Sequence, residues 1–210
     1  MILGQAPHKK IGIMGGTFDP IHIGHLIIAE QAYDQYGLEK ILVMPNGNPP
    51  HKKETLYTPI RHRIQMVQLA ISDNRHFELS LIEAERNGYS YTFETLEFLK
   101  NINPHVEYYF IMGADSLFDF ETWREPASIC ENCTVLAATR YNLKNPELQK
   151  QVEYLSSKFN GSFELLKTPN IDISSHMLRR MVEEHKSIQY YVPPDVERYI
   201  YRNHLYQTER

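Results

Sequence analysis

Short apolar runs alternate along this chain with stretches whose apolar residues recur at helical spacing, and this alternation restricts the fold more than any other feature. Ile11–Met14 ends at a Gly-Gly pair, and the helical stripe that follows begins at Ile23 and ends at Gly37. Ile41–Met44 ends at a proline and precedes a second stripe over Ile60–Ile71. Because strands joined by helices require right-handed crossovers, the pattern predicts an α/β fold, namely a Rossmann-like doubly wound parallel sheet with helices on both faces.

The rest of the chain continues the pattern. Three further strands and one helix are predicted, at Phe77–Leu81, Val106–Met112 and Cys133–Ala138 and at Phe93–Ile102. The last part reads as two helices, the second of which is opened by Pro193-Pro194. We therefore expect a single domain over residues 1–210, in which about 173–210 form a small C-terminal helical cap.

The net charge and the lengths of the apolar runs argue against a nucleic-acid-binding or membrane-spanning protein. The net charge of −4 supplies no positive field for a polyanion, so no nucleic-acid partner is expected. Since no apolar run approaches the ~18 residues of a membrane span and the start lacks a signal-like stretch, we expect a cytoplasmic protein without a membrane partner. Cys130 and Cys133 form a single C-x-x-C, which we interpret as two ordinary thiols. Whether the chain forms a homo-oligomer stays open.

The chemistry is concentrated between the first strand and the first helix, in an eleven-residue string from Gly15 to His25. Its glycines permit a tight turn and let a phosphate approach main-chain N–H groups. His22 and His25 share one face in the first turn of the helix, where the helix dipole favours anions. The string predicts a phosphate site, although a bare H-x-x-H is also found on ordinary protein surfaces. Neither the P-loop nor the G-x-G-x-x-G signature is present.

The string matches the G-G-x-F-D-P-x-H-x-G-H signature of the nucleotidyltransferase α/β superfamily at every fixed position. Further patches make the chain resemble the bacterial nicotinate-mononucleotide adenylyltransferase family. They are Pro49–Lys52, Ser90–Leu96, Gly113–Asp115 with Trp123, Ile173–Arg179 and Tyr191–Tyr206. The resemblance implies adenylyl transfer from ATP to nicotinate mononucleotide, which yields deamido-NAD and pyrophosphate in NAD biosynthesis. The chain departs from the family at His176, where the family usually has Thr, and at Arg140-Tyr141-Asn142, where it has Arg-Pro-Gly.

The same resemblance implies a role for each motif residue. His22 and His25 are the expected catalytic residues, in contact with the phosphates of ATP. Thr92 and Trp123 are expected to bind nicotinate mononucleotide, with Trp123 stacked on the pyridine ring. The expected ATP-binding residues are Gly15, Gly16, Thr17, Phe18, Gly24, Lys52, Gly113, Asp115, Ser174 and Arg179. Mg²⁺ is expected to enter with ATP as part of the substrate, without a metal site built from protein side chains.

The implied reaction explains why no nucleophilic triad accompanies the motif. A phosphate monoester has a second pKa of about 6, so the attacking oxygen is already ionised and needs no general base. The site must instead align that oxygen with the α-phosphorus and screen the charge of the departing pyrophosphate. Main-chain N–H groups of Thr17 and Phe18 and the two imidazoles are suited to that task.

Other interpretations stay open at this point. Thr92, Asp115 and Ser174 are also good helix caps, Lys52 and Arg179 also fit solvated charges, and a single Trp often belongs to the core. At the level of function, a related nucleotidyltransferase would act on nicotinamide mononucleotide or another phosphorylated small molecule. A metal-dependent hydrolase would use His22, His25 and Asp19 as ligands, and a sensor would bind the nucleotide without turnover. We prefer nicotinate because amide and hydroxyl donors suit a carboxylate better than a carboxamide.

Overall fold

The computed structural model describes residues 9–47, 57–86, 88–140 and 146–207. Strands and helices alternate through these ranges, as the periodicity predicts. The strands are β1 (Lys10–Gly16), β2 (Lys40–Pro45), β3 (Phe77–Leu79), β4 (Glu107–Gly113), β5 (Thr134–Arg140) and β6 (Ser162–Thr168). The helices are α1 (Ile23–Tyr36), α2 (Ile60–Ile71), α3 (Thr92–Ile102), α4 (Ser116–Asp119), α5 (Pro126–Asn132), α6 (Pro146–Phe159), α7 (Ser175–Glu183) and α8 (Pro194–Arg202). A 3₁₀ turn, Phe120–Thr122, follows α4.

The strands form one parallel sheet in the order β3-β2-β1-β4-β5-β6. Met14 of β1 lies opposite Val43 of β2 on one side and Ile111 of β4 on the other. The strand order reverses between β1 and β4, and ligands of such sheets bind in the crevice beyond the carboxyl ends of the strands at this point. This topology confirms the predicted Rossmann-like fold and places the end of β1 in that crevice.

Both faces of the sheet are covered by helices. Successive residues of β1 point to opposite faces, so that Ile13 and Met14 belong to two different apolar clusters. The cluster around Met14 includes Val196 and Ile200 of α8, both fully buried. The C-terminal helices therefore pack against the sheet as the predicted cap. None of the helices in the described ranges has the length and apolar character that crossing a bilayer requires.

Several elements differ from the sequence-based expectation. The third strand ends at Leu79 and does not reach Leu81. Helix α6 and the edge strand β6 were not predicted, because charged residues interrupt their apolar positions and β6 buries only three of its seven residues. The interpretation of the two cysteines as ordinary thiols is confirmed, since both are free and buried. Burial raises the pKa of Cys130 to about 11 and that of Cys133 as well, so neither thiol is poised to react.

Candidate active site

The signature loop, which we define as Gly15–His25, connects β1 to α1 at the point where the strand order reverses. Phe18 has a left-handed φ of 49° and is only 2 % exposed, because its ring folds back onto the glycine pair. A Cβ added to Gly16 would lie 2.9 Å from that ring, which explains why glycine is needed there. The buried side chain of Phe18 thus anchors the loop to the interior of the protein.

His22 and His25 come together as a stacked pair at the start of α1. Their ring centroids are 3.6 Å apart with an interplanar angle of 22°. A Cβ on Gly24 would lie 3.1 Å from Nδ1 of His22, so glycine at this position leaves room for the ring. The main-chain N–H of His22 donates to Nδ1 of His25 at 3.2 Å. In neutral His25 the proton must then sit on Nε2, which makes this nitrogen a hydrogen-bond donor.

Both imidazoles are neutral at pH 7. Burial lowers the pKa of His22 to about 4. Burial and the neighbouring His22 lower the pKa of His25 well below its usual range. Nδ1 of His22 is buried and has no hydrogen-bond partner among the described residues. The pair therefore offers a polar surface without a fixed positive charge, which suits hydrogen bonding to an oxygen of a phosphate group.

Buried polar and charged side chains fix the signature loop by hydrogen bonds on its interior side. The carboxylate of Asp19 accepts a hydrogen bond from the Tyr206 hydroxyl at 2.6 Å and another from the main-chain N–H of Thr58 at 3.2 Å. Burial and the adjacent Asp19 raise the pKa of Tyr206, so its hydroxyl stays protonated and donates. Arg63 of α2 is 2 % exposed and donates to the carbonyl of Thr17 at 2.8 Å. Sequence reasoning gave no role to Arg63 or Tyr206.

The N-terminus of α7 is docked onto the same loop. The Ser175 hydroxyl donates to the carbonyl of Pro20 at 2.9 Å, and Nη1 of Arg179 donates to the carbonyl of Asp19 at 2.7 Å. Ser174 occupies the N-cap, where its Oγ accepts from the Met177 N–H at 3.1 Å. The capping role considered for Ser174 is therefore present, and the helix places Ser174 and Arg179 beside the signature loop. His176 is exposed and lines neither of the two cavities described next.

Two cavities flank the signature loop. The first, which we call the Trp123 cavity, has a volume of about 160 Å³. It contains Thr92 and Trp123, both expected to bind the mononucleotide, together with Gly15 and Gly16, both expected to bind ATP. The second, the Gly113 cavity, has a volume of about 420 Å³ and contains His22, Gly24, Gly113 and Asp115. Eight of the predicted residues thus line one cavity or the other. The other predicted residues in the described ranges line neither of these two cavities, namely Thr17, Phe18, His25, Ser174 and Arg179.

In the Trp123 cavity an aromatic wall faces polar groups. The Trp123 ring packs edge-on against Phe110, with centroids 6.0 Å apart, and lies 5.6 Å from the ring of Phe120. The guanidinium of Arg124 sits 4.8 Å from the centroid of the Tyr91 ring. This arrangement leaves a flat apolar surface beside a positive charge.

The floor of the same cavity is polar. Glu83 is buried, accepts a hydrogen bond from the Thr95 hydroxyl at 3.0 Å, and has a pKa raised by burial. Thr92 is the first residue of α3, so the positive end of the helix dipole faces this space. Asn46 follows β2 and has a buried Oδ1 with no hydrogen-bond partner in the described part of the chain. Asn46, Glu83 and Arg124 were not predicted from the sequence.

The Gly113 cavity is wider. A Cβ added to Gly113 would meet nothing within 4 Å, so the space above the end of β4 is open. Asp115 is exposed at the start of α4 and does not cap that helix with its side chain, which leaves its carboxylate available to the cavity. Lys52 and the side chain of Arg140 lie outside the described residues. No group of three His, Cys, Asp or Glu side chains able to hold a metal ion occurs within the described ranges.

Comparison with known proteins agrees with this architecture. The sequence profile of the cytidylyltransferase-like family matches residues 13–181. A Plasmodium falciparum nicotinic acid mononucleotide adenylyltransferase complexed with NaAD has the same fold, with a TM-score of 0.76 at 22% identity over 95% of this chain and 98% of the other. The same enzyme complexed with APC superposes with a TM-score of 0.74, at the same identity and coverage.

Bacterial sequences are more similar. A protein of Lachnoclostridium phytofermentans named "probable nicotinate-nucleotide adenylyltransferase" is 42% identical over 198 residues, which cover 94% of this chain and 99% of the relative. A Clostridium botulinum protein of the same name is 42% identical over 201 residues, which cover 96% and 100%. With this identity over nearly the full length of both chains, the chain belongs to the nicotinate-nucleotide adenylyltransferase family.

Proposed function

We propose that this chain transfers the adenylyl group of ATP to nicotinate mononucleotide and releases nicotinate adenine dinucleotide (deamido-NAD) and pyrophosphate, a step of NAD biosynthesis. The observation that carries the proposal is the pair of cavities on either side of the signature loop. One is wide and open above a glycine, and the other is flat, aromatic and positively charged at its rim. A reaction that joins two nucleotides needs two such spaces that meet at one phosphorus atom.

The Gly113 cavity suits ATP. Its open floor at Gly113 accepts the nucleoside, and the carboxylate of Asp115 is placed to accept hydrogen bonds from the ribose hydroxyls. His22 and Gly24 line the same cavity, so the phosphates extend toward the histidine pair and the main chain of Thr17 and Phe18. Ser174 and Arg179 at the start of α7 are assigned to the outer phosphates, because a helix N-terminus and a guanidinium both favour anions.

The Trp123 cavity suits the mononucleotide. We assign Trp123 as the stacking platform for the pyridine ring and Thr92 as a donor to the carboxylate of nicotinate. Gly15 and Gly16 line this cavity at its junction with the signature loop, where the phosphate of the mononucleotide would meet ATP. Lys52, which precedes α2 in the chain, remains assigned to the phosphates by resemblance only.

The chemistry that follows is a direct in-line displacement. A phosphate oxygen of nicotinate mononucleotide forms a bond to the α-phosphorus. The bond between that phosphorus and the oxygen bridging it to the β-phosphorus breaks, and this oxygen leaves as part of pyrophosphate. His25 donates from Nε2 and shares the developing negative charge, and no proton has to be removed from the nucleophile. Alignment of the two reactants supplies roughly 7–11 kcal/mol of the barrier in well-oriented reactions of this type.

A divalent metal enters this scheme with the substrate. Within the described ranges the side chains offer no cluster of metal ligands, whereas the triphosphate of ATP supplies oxygen ligands of the kind Mg²⁺ prefers. We infer that Mg²⁺ is delivered as the ATP complex and screens the charge between the two reacting phosphates.

The charges around the Trp123 cavity favour the acid over the amide. Arg124 brings a positive charge to the rim, and the dipole of α3 adds to it at Thr92. Glu83 lies at the floor of the same cavity, where burial raises its pKa and the hydrogen bond from Thr95 opposes that shift. A carboxylate is therefore better matched to this space than a carboxamide, whose two N–H groups need acceptors.

Steady-state kinetics with ATP and each mononucleotide test the proposal. We expect pyrophosphate release and a higher kcat/KM with nicotinate mononucleotide than with nicotinamide mononucleotide. A preference for the amide would contradict the assigned specificity and favour the related transferase. ATP binding without pyrophosphate release, with any mononucleotide offered, would indicate a sensor. Hydrolysis of ATP in the absence of a second nucleotide would instead favour the hydrolase.

A further inference from the structure

Arg63 is a buried charge to which neither the motif nor the proposed reaction assigns a task. It lies on the inner face of α2 and is 2 % exposed. Within the described ranges its guanidinium donates four hydrogen bonds, all of them to main-chain carbonyl oxygens. They join Nε to Thr58 at 3.0 Å, Nη1 to Thr17 and to Asn46 at 2.8 Å each, and Nη2 to Gly47 at 3.3 Å.

The four acceptors come from three separate segments of the site. Thr17 belongs to the signature loop after β1, whereas Asn46 and Gly47 follow β2. Thr58 leads into α2 and donates its own N–H to Asp19. One planar side chain thus fixes the relative position of the loops that follow two adjacent strands, both of which line the crevice.

The direction of these carbonyls determines where the neighbouring N–H groups point. In a trans peptide the C=O and the following N–H point in opposite directions. Because the carbonyl of Thr17 is turned inward to Arg63, the N–H of Phe18 is turned away from it, and no described group accepts this N–H. The same holds for the carbonyl of Asn46 and the N–H of Gly47. The contacts of Arg63 therefore turn two main-chain donors away from its own guanidinium, and no described group accepts them.

Stability alone gives a poor reason for this arrangement. Burial lowers the pKa of Arg63, and the negative charge of Asp19 opposes that shift. Apolar residues of similar volume often replace buried charges without loss of stability. Because all four of its hydrogen bonds go to the main chain of the site, Arg63 is better explained by what it positions.

We propose that Arg63 is a positioning residue for adenylyl transfer, which orients the main-chain N–H groups of Phe18 and Gly47 toward the phosphates of the reacting nucleotides. This inference rests on the proposed function for the identity of those phosphates. Arg63 itself touches neither substrate, so its effect is transmitted through the peptide groups of Thr17 and Asn46.

The test compares Arg63→Ala and Arg63→Lys with Arg61→Ala, an exposed arginine on the same helix. We expect Arg63→Ala to lower kcat on the order of 10²-fold, as for loss of transition-state donors, and Arg63→Lys to be intermediate because it keeps the charge without the planar fork. Millimolar guanidinium should restore part of the activity of Arg63→Ala by entering the vacated space, whereas the same concentration of ammonium should not. Arg61→Ala should match the wild type.

Three results would overturn the inference. A wild-type kcat in Arg63→Ala with only a lower melting temperature would make Arg63 purely structural. Equal effects of guanidinium and ammonium would exclude a role for the planar guanidinium group. Circular dichroism that showed both Arg63 variants to be unfolded at 25 °C would assign the residue to the stability of the core. Failure of the proposed function can be distinguished from these three results. In that case the wild type would not release pyrophosphate from ATP and nicotinate mononucleotide. The ATP affinities of the wild type and the Arg63 variants, measured by calorimetry, would still show whether Arg63 acts on phosphate binding.

Discussion

The signature loop and the Trp123 cavity lie side by side, but they are held in different ways. The loop is fixed by buried hydrogen bonds from distant parts of the chain, including Arg63 of α2, Arg179 of α7 and Tyr206 near the C-terminus. The Trp123 cavity is held by packing of the Trp123 ring on Phe110 of β4 and on Phe120, and by the contact of Arg124 with the Tyr91 ring at the start of α3. Arg124, at its rim, is exposed.

This difference matches the tasks assigned to the two regions. Transfer of a phosphoryl-type group requires donors held in one geometry, since a small displacement lowers the rate strongly. Recognition of a flat ring requires area and a suitable charge, and it tolerates more variation in position. We therefore expect changes in the signature loop to lower kcat and changes in the Trp123 cavity to alter KM and substrate preference.

The largest expected effect is that of His25→Ala. Loss of one donor to the charge of the transition state should lower kcat by on the order of 10²–10³. His176→Ala, which removes an exposed imidazole that lines neither cavity, is the matched control and should leave kcat unchanged. An unchanged kcat with a raised KM for ATP would make His25 a ground-state contact and remove the distinction between the two regions.

The buried histidines also predict a pH dependence of stability. The folded protein holds the pKa of His22 at about 4, whereas an unfolded imidazole titrates near 6.5. Below pH 6.5 the unfolded chain thus binds more protons than the folded protein. The contribution of His22 to the free energy of unfolding is therefore complete above that pH. It falls as the pH drops toward 4, by about 3 kcal/mol from His22 alone.

Urea unfolding of the wild type and His22→Gln at pH 7.5, 6, 5 and 4 measures this term as the difference between the two curves. His176→Gln serves as the control, since its imidazole is exposed. If the free energies of unfolding of His22→Gln and the wild type fell in parallel over this range, burial would not hold His22 neutral.

Trp123→Ala tests the other region. Stacking of a base on an aromatic side chain contributes about 1–3 kcal/mol, so KM for nicotinate mononucleotide should rise roughly tenfold to a hundredfold while KM for ATP stays near its wild-type value. Phe118→Ala removes an exposed aromatic ring that lines neither cavity and should change neither constant. Equal losses for both substrates would refute the separation of the two cavities.

Arg124→Gln should give the smallest effect and the most specific one. The exposed guanidinium is screened by water and salt, so we expect the preference for nicotinate over nicotinamide mononucleotide to fall by about tenfold, with kcat retained. Arg86→Gln is the control, since Arg86 pairs with Glu94 at 2.9 Å. If Arg124→Gln kept the wild-type preference for nicotinate over nicotinamide mononucleotide, that preference would come from the amides and hydroxyls near Thr92 alone.

The parts of the fold that were predicted from the sequence are those with local signals. The apolar run of β1 and the apolar stripe of α1 predicted that strand and that helix, and Pro193-Pro194 predicted the start of α8. The Gly-Gly pair was expected to end the strand, but both glycines belong to β1 and the turn follows them. Strand β6 and helix α6 were missed because charged side chains interrupt their apolar patterns and β6 buries only three of its seven residues. One further signal was available, since Arg63 stands at helical spacing with Met66 and Val67, which marks it as buried on α2.

By itself, the sequence determined the alternation of strands and helices, the turn between the first strand and the first helix, and the placement of two imidazoles at the start of that helix. These features depend on residues that are neighbours in the chain, so local backbone preferences and spacing are enough to set them. Only the tertiary structure decided which tautomer His25 adopts, which carbonyls Arg63 holds, and that Tyr206 bonds to Asp19. Burial and hydrogen-bond partners arise between segments that are far apart in the chain, and they exist only once the sheet has brought those segments together.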